Sequence, residues 1–193
     1  TPGQSILTIT PIDDHATELG RASVKVLRPD APWTVIVSDI DLTYLNTPFA
    51  STSDKVQLLR DDARSRVSLV GMPALYRTVR RADTALVFLS GSPRFFKRVI
   101  EGKLRMDEIE HDALMLKHFK DIAYRTLRSW RPHQIMRALK AQVSYKLRAL
   151  LLHRLRLPPS AHEVLLGDDS EADFVCYHLY AHILQGAWRL PDL

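Results

Sequence analysis

Cysteine is almost missing from this 193-residue chain: Cys176 is the only one. A lone cysteine cannot close an internal disulfide, which points to a reducing compartment. Cys176 lies in the apolar helical stretch DFVCYHLY and reads as a buried, inert thiol. No apolar run approaches the ~20 residues that a membrane span needs. No cationic start runs into an apolar stretch, so no secretory signal is visible. The first residue is Thr1 rather than Met, which leaves open what preceded it. Internal repeats and low-complexity segments are missing too. Together these absences point to a cytoplasmic protein, with peripheral contact at a membrane as the variant placement.

One absence is local. Residues 122–162 contain no Asp or Glu but carry Arg125, Arg128, Arg131, Arg137, Lys140, Lys146, Arg148, Arg154 and Arg156. Leucines, Trp130 and Tyr145 are interleaved with them. A core helix with a solvated basic face accounts for this pattern. So does a basic amphipathic surface laid on anionic lipid headgroups. A nucleic-acid track ranks last, because no nucleic-acid-binding motif accompanies it. The whole chain has a net charge of +5, which favours anionic partners.

What is present suits a folded domain: 46% hydrophobic and 25% charged residues. Residues 1–32 form a β-rich lead-in, with strands at SILTI and ASVKVL, closed by the proline-marked RPDAPW. Residues 33–193 form the main domain. TVIVS (34–38), TALVFLS (84–90), HDALML (111–116) and HEVLLG (162–167) read as short buried strands. Helical spacing marks 48–63, GMPALYRTVRR (71–81), the segment carrying Phe95, Phe96, Val99 and Ile100, most of 119–156 with a break at Pro132, and a last helix ending near Leu184. Strands alternating with helices predict an α/β fold, a Rossmann-like three-layer sandwich around a mostly parallel sheet. Small helical cap elements are expected as inserts at about 48–80 and 119–140.

Ligands of such sheets bind beyond the carboxyl ends of the strands. Three of the four strands run into polar groups there: Asp39 and Asp41, Ser90, then Asp168 and Asp169. Paired carboxylates at a strand end repel, and each is costly to desolvate, so a metal ion, a cation or a shared proton must compensate. Alone, D-x-D-x-T is also what a strand-end turn cap looks like.

The order of Asp39–Ile40–Asp41, Ser90, Lys146 in SYKLRALL, and GDDSEAD resembles the four motifs of the haloacid dehalogenase superfamily of aspartate-based phosphohydrolases. GMPALYRTVRR, SGSPRFF and YKLRALL followed by GDDSEAD are similar to the catalytic domain of actin-patch-type phosphatidate phosphatases and their bacterial relatives, over roughly 33–182. The chain has Leu42, Gly91 and Asp169 where that family often has Asp, Asn and Ser.

The resemblance implies a Mg²⁺-dependent phosphatase. In it Asp39 attacks phosphorus and binds metal, and Asp41 serves as acid and base while its carbonyl also binds metal. Thr43 fixes Asp41. Ser90 and the Gly91 amide hold phosphoryl oxygens, Lys146 neutralises charge, and Arg94 reaches the substrate phosphate. Asp168 completes the metal site, with Asp169 and Asp173 holding metal-bound waters or orienting Lys146; Asp169 as the direct ligand stays open. The partner is a phosphorylated small molecule or lipid, a phosphatidate-like lipid being preferred over a sugar phosphate or nucleotide. A non-catalytic anion- or membrane-binding module on the same fold is the alternative of a different class.

Overall fold

The computed structural model describes residues 4–9, 20–25, 32–47, 62–117, 132–169 and 172–187. Strands β1 (Gln4–Ile9) and β2 (Gly20–Lys25) pair antiparallel, with Gln4 opposite Lys25. The remaining elements follow as β3 (Thr34–Ser38), α1 (Met72–Val79), β4 (Thr84–Pro93), α2 (Lys97–Met106), β5 (Ala113–Lys117), α3 (Pro132–Arg154), β6 (His162–Leu166) and α4 (Asp173–Leu184). The last four strands make one all-parallel sheet in the order β5-β4-β3-β6. The predicted α/β fold with a parallel sheet is therefore the fold observed.

The sheet is doubly covered, so its central strands are apolar on both faces. Alternation along β3 sorts its side chains into two layers. Ile36 faces a cluster with Ile40, Tyr44, Tyr76 of α1, Phe88, and Ile100 and Leu104 of α2. Trp33, Val35 and Val37 face a second cluster with Val87, Leu89, Leu150 of α3, and Cys176 and Tyr180 of α4. The chain builds outward from β3 through β4 to β5, then returns to lay β6 on the other side of β3. The strand order reverses there, and the crevice at such a reversal is where α/β sheets place ligands.

Several boundaries differ from the sequence reading. Strand β4 extends to Pro93, past the expected Ser90, with a register shift between Ser90 and Pro93 against β5. The segment Arg94–Phe96 is a 3-10 turn, and Phe95 is exposed rather than sharing the face of Ile100. The expected helix over 48–63 lies outside the described residues as far as 61. Asp62 then accepts hydrogen bonds from the amides of Arg64 and Ser65, at 2.9 and 3.0 Å, and makes a turn there. The expected helix before Pro132 lies outside the described residues from 118 onward. Among the described residues, no helix is long and apolar enough to cross a membrane.

Candidate active site

The alternation of β3 continues one residue past its end. Asp39 has the parity of Val35 and Val37, so its side chain enters the layer of α3 and α4. Its amide donates to the Leu166 carbonyl at 2.9 Å, which ties it to the end of β6. The Asp39 carboxylate is buried, and Oδ1 accepts from Lys146 Nζ of α3 at 2.7 Å. Lys146 also donates to Oδ1 of Asp173, the first residue of α4. A carboxylate at that position also suits the positive end of the helix dipole. Lys146 is 0% exposed, so it is not part of a solvated basic face.

Oxygens of Asp39, Asp168 and Asp173 lie within 4.8 Å of one another, the one such group of three potential metal ligands among the described residues. Asp169 is exposed and outside that group. Among the described residues named here, three carboxylates against the ammonium of Lys146 carry a formal charge of −2. Asp39 Oδ2 is buried with no hydrogen-bond partner. A buried oxygen with no donor beside two further carboxylates fits a hard divalent cation, which takes oxygen ligands and matches that deficit. The donor set suits such an ion.

Burial pushes the Asp39 carboxyl well above its usual range, and the Lys146 ammonium opposes that. Asp173 is also raised, by burial first, with Lys146 again pulling down. For Lys146 burial works against the charge, but Asp39 and Asp173 outweigh it and hold the ammonium above its usual range. The Cys176 thiol is pushed up to about 12, by burial first and then by Asp173, which agrees with an inert core cysteine.

Beyond Asp39 the chain turns tightly. Leu42 takes a left-handed backbone (φ 58°), and the amides of Tyr44 and Leu45 both donate to the Ile40 carbonyl, at 2.9 and 2.8 Å. A non-glycine residue in that region is uncommon and occurs most at functional turns. The turn brings Asp41 to the end of β4. Asp41 Oδ1 accepts from Thr47 Oγ1 at 2.9 Å, and Oδ2 accepts from Ser90 Oγ at 3.1 Å and Ser92 Oγ at 2.9 Å. The Ser92 amide donates to Ser90 Oγ at 2.9 Å.

The fold thus brings Asp39, Lys146, Asp168 and Asp173 into one group, and joins Asp41 to Ser90 in a second. Thr43 does not hold Asp41: its Oγ1 is buried with no hydrogen-bond partner, and Thr47, four residues on, fills that place. Gly91 faces α3, where a Cβ at this residue would lie 3.7 Å from Gln142 Nε2. Arg94 is exposed just beyond the serines.

Four residues around these groups were given no role from the sequence: Thr47, Ser92, Gly167 and Tyr177. A Cβ on Gly167 would come within 2.6 Å of Asp173 Oδ2 and 2.7 Å of Tyr177 Cε2, so only glycine lets α4 approach β6 this closely. Tyr177 donates to the Leu166 carbonyl at 3.1 Å and reaches Asp173 Oδ2 at 3.5 Å. The glycine in GDDSEAD was the one visible hint.

An acidic, metal-fitting group at the carboxyl ends of a doubly covered parallel sheet defines the class: an α/β protein whose site gathers carboxylates around a buried lysine. The family is more specific. The family model for "Phosphatidate phosphatase APP1, catalytic domain" matches residues 34–187, and the chain belongs to that family. No curated protein sequence matches it. Among solved structures, a chain of the "Structure of Pnkp1/Rnl/Hen1 complex" is similar at 13% identity and a TM-score of 0.40. That alignment covers 82% of this chain and 58% of the other, so the chain spans less than two thirds of its length.

Proposed function

We propose that the protein is a Mg²⁺-dependent phosphatase that hydrolyses a phosphomonoester through an aspartyl-phosphate at Asp39, with a phosphatidate-like lipid phosphate as substrate. The observation that carries this reading is the Asp39 carboxylate: one oxygen on the Lys146 ammonium and the other buried with no donor, beside Asp168 and Asp173.

Asp39, Asp168 and Asp173 would hold the cation, whose charge offsets the repulsion between an anionic nucleophile and an anionic ester. The chain's own groups do the rest. Asp39 forms a bond from carboxylate oxygen to phosphorus as the bond to the ester oxygen breaks. The departing oxygen keeps the electron pair and takes a proton from Asp41. Asp41, now ionised, draws a proton from water as that water attacks phosphorus. Inorganic phosphate leaves, Asp39 regains its carboxylate, and Asp41 has its proton back. Ser90 and the Gly91 amide bind phosphoryl oxygens, and Lys146 supplies positive charge beside the nucleophile.

The lipid part of the reading draws on the family's name and on the exposed leucines Leu152 and Leu155, interleaved on α3 and just beyond it with exposed Arg148 and Arg156. Apolar groups among cations suit an anionic membrane surface.

The test measures phosphate release from p-nitrophenyl phosphate and from phosphatidate vesicles, with Mg²⁺, with EDTA, and in Asp39→Asn. Turnover that needs Mg²⁺ and Asp39 supports the mechanism, and turnover that survives both EDTA and the substitution overturns it. Hydrolysis of the soluble ester without vesicle binding at low salt removes the lipid and leaves a soluble phosphomonoesterase. Inactivity on all phosphoesters points to the binding module.

A further inference from the structure

The mechanism leaves two side chains on Asp41 without a task. Thr47 Oγ1 holds Oδ1 at 2.9 Å, and Ser92 Oγ holds Oδ2 at 2.9 Å. Both positions follow from local irregularities. The register shift at the end of β4 inserts Gly91 and Ser92 between the residues paired with Leu116 and Lys117. Ser90 and Ser92 stay on one side of the chain and Gly91 turns to α3, as strand alternation requires. The turn at Leu42 brings the chain round so that Thr47, 4% exposed, meets Asp41 from the other side. The carboxyl is therefore gripped through both oxygens.

Ser90 cannot be the lasting clamp, because binding a phosphoryl oxygen draws its hydroxyl away from Asp41. Ser92 and Thr47 have no such competing duty. A hydroxyl both donates and accepts, so Ser92 can keep its bond to Oδ2 whether or not Asp41 carries a proton. Resting on the reading of Asp41 as the acid and base, we infer that Ser92 and Thr47 are positioning residues that aim Asp41 at the leaving oxygen. They set how well the enzyme expels a poor leaving group.

That role has a signature which a merely structural role lacks. A nitrophenolate leaves without a proton, whereas a phenolate needs one more. The second-order constant kcat/KM reports the step in which the ester oxygen departs. It is measured for p-nitrophenyl phosphate and phenyl phosphate in the wild type, Asp39→Asn, Asp41→Asn, Ser92→Ala, Ser92→Thr and Thr47→Val. The expected result for Ser92→Ala is a loss of about tenfold on phenyl phosphate and less than about twofold on p-nitrophenyl phosphate. Thr47→Val, close in shape to threonine, shows the same pattern independently. Ser92→Thr restores the phenyl phosphate rate. Equal losses on both esters, or none, in folded Ser92→Ala and Thr47→Val overturn the inference while the parent mechanism stands. Turnover of either ester by Asp39→Asn overturns the parent mechanism instead.

Discussion

Replacing Lys146 with methionine removes the ammonium that pairs with Asp39 and Asp173 while keeping a side chain of similar length. Packing changes little in such a swap, so the loss is electrostatic. Lys146 is fully buried and ion-paired to Asp39 at 2.7 Å and to Asp173. Stripping one partner from a buried pair costs about 3–5 kcal/mol, because the remaining charge stays desolvated.

The pH dependence has a definite sign. Burial already raises both carboxyls above their usual range, and in each case Lys146 opposes the rise. Without the lysine both rise further. A carboxyl whose folded pKa lies above its unfolded value binds more protons in the native state, so stability falls as pH climbs from the unfolded value to the raised one. For each extra proton held, the native state regains about 1.4 kcal/mol per pH unit on acidification through that window. Urea unfolding in EDTA, at pH 8 and pH 5, followed by tryptophan fluorescence, measures both quantities. The variant should lose about 4 kcal/mol at pH 8 with an unchanged denaturant slope, and less than half of that at pH 5. A loss below about 1 kcal/mol at pH 8, or one that acid does not reduce, refutes the reasoning.

Gly167→Ala should cost at least about 1–3 kcal/mol and abolish phosphatase activity, since its methyl would overlap Asp173 and Tyr177; a stable, active variant in the same unfolding and phosphate-release assays contradicts the close approach. Asp107 accepts from Tyr44 at 2.7 Å, Lys103 at 2.8 Å and Ser68, and these bonds hold its carboxyl below the usual range against the effect of burial. Its stabilising contribution is therefore present above the unfolded carboxylate value and disappears as pH falls through the folded one. Asp107→Ala should cost about 1–3 kcal/mol at pH 7, and the cost should shrink as pH falls below the unfolded carboxylate value in urea titrations; a cost that acid does not reduce would count against it. The Cys176 thiol should resist Ellman's reagent in the native protein and react at once in denaturant; rapid native reaction would show that it is not buried.

The apolar strands could be read ahead of the structure because a doubly covered parallel sheet leaves no alternation to confuse, and TVIVS and TALVFLS carry that pattern openly. Asp39, Ser90 and Asp168 were legible for the same reason: each stands where an apolar run stops. Thr47 and Ser92 were not legible. Their hydroxyls acquire meaning only once a turn at Leu42 and a register shift in β4 aim them, and neither irregularity has a residue signature here. Thr43 was implied by the family resemblance, whereas the turn puts Thr47 in reach. Within the basic stretch only the family resemblance singled out Lys146, because a cation's place on a helix says little until the packed face is known. The order β5-β4-β3-β6, which sets where the strand order reverses, depends on contacts between residues far apart in the chain and leaves no local trace.

The proposed mechanism turns on phosphorus becoming bonded to Asp39. Enzyme turning over phosphatidate or p-nitrophenyl phosphate is quenched in acid, treated with borohydride, and digested for mass spectrometry. Borohydride reduces an aspartyl-phosphate to homoserine. The account predicts homoserine at position 39, only when substrate is present. An unmodified Asp39 in an enzyme caught mid-turnover, or phosphate on Ser90 or Ser92 instead, would contradict it.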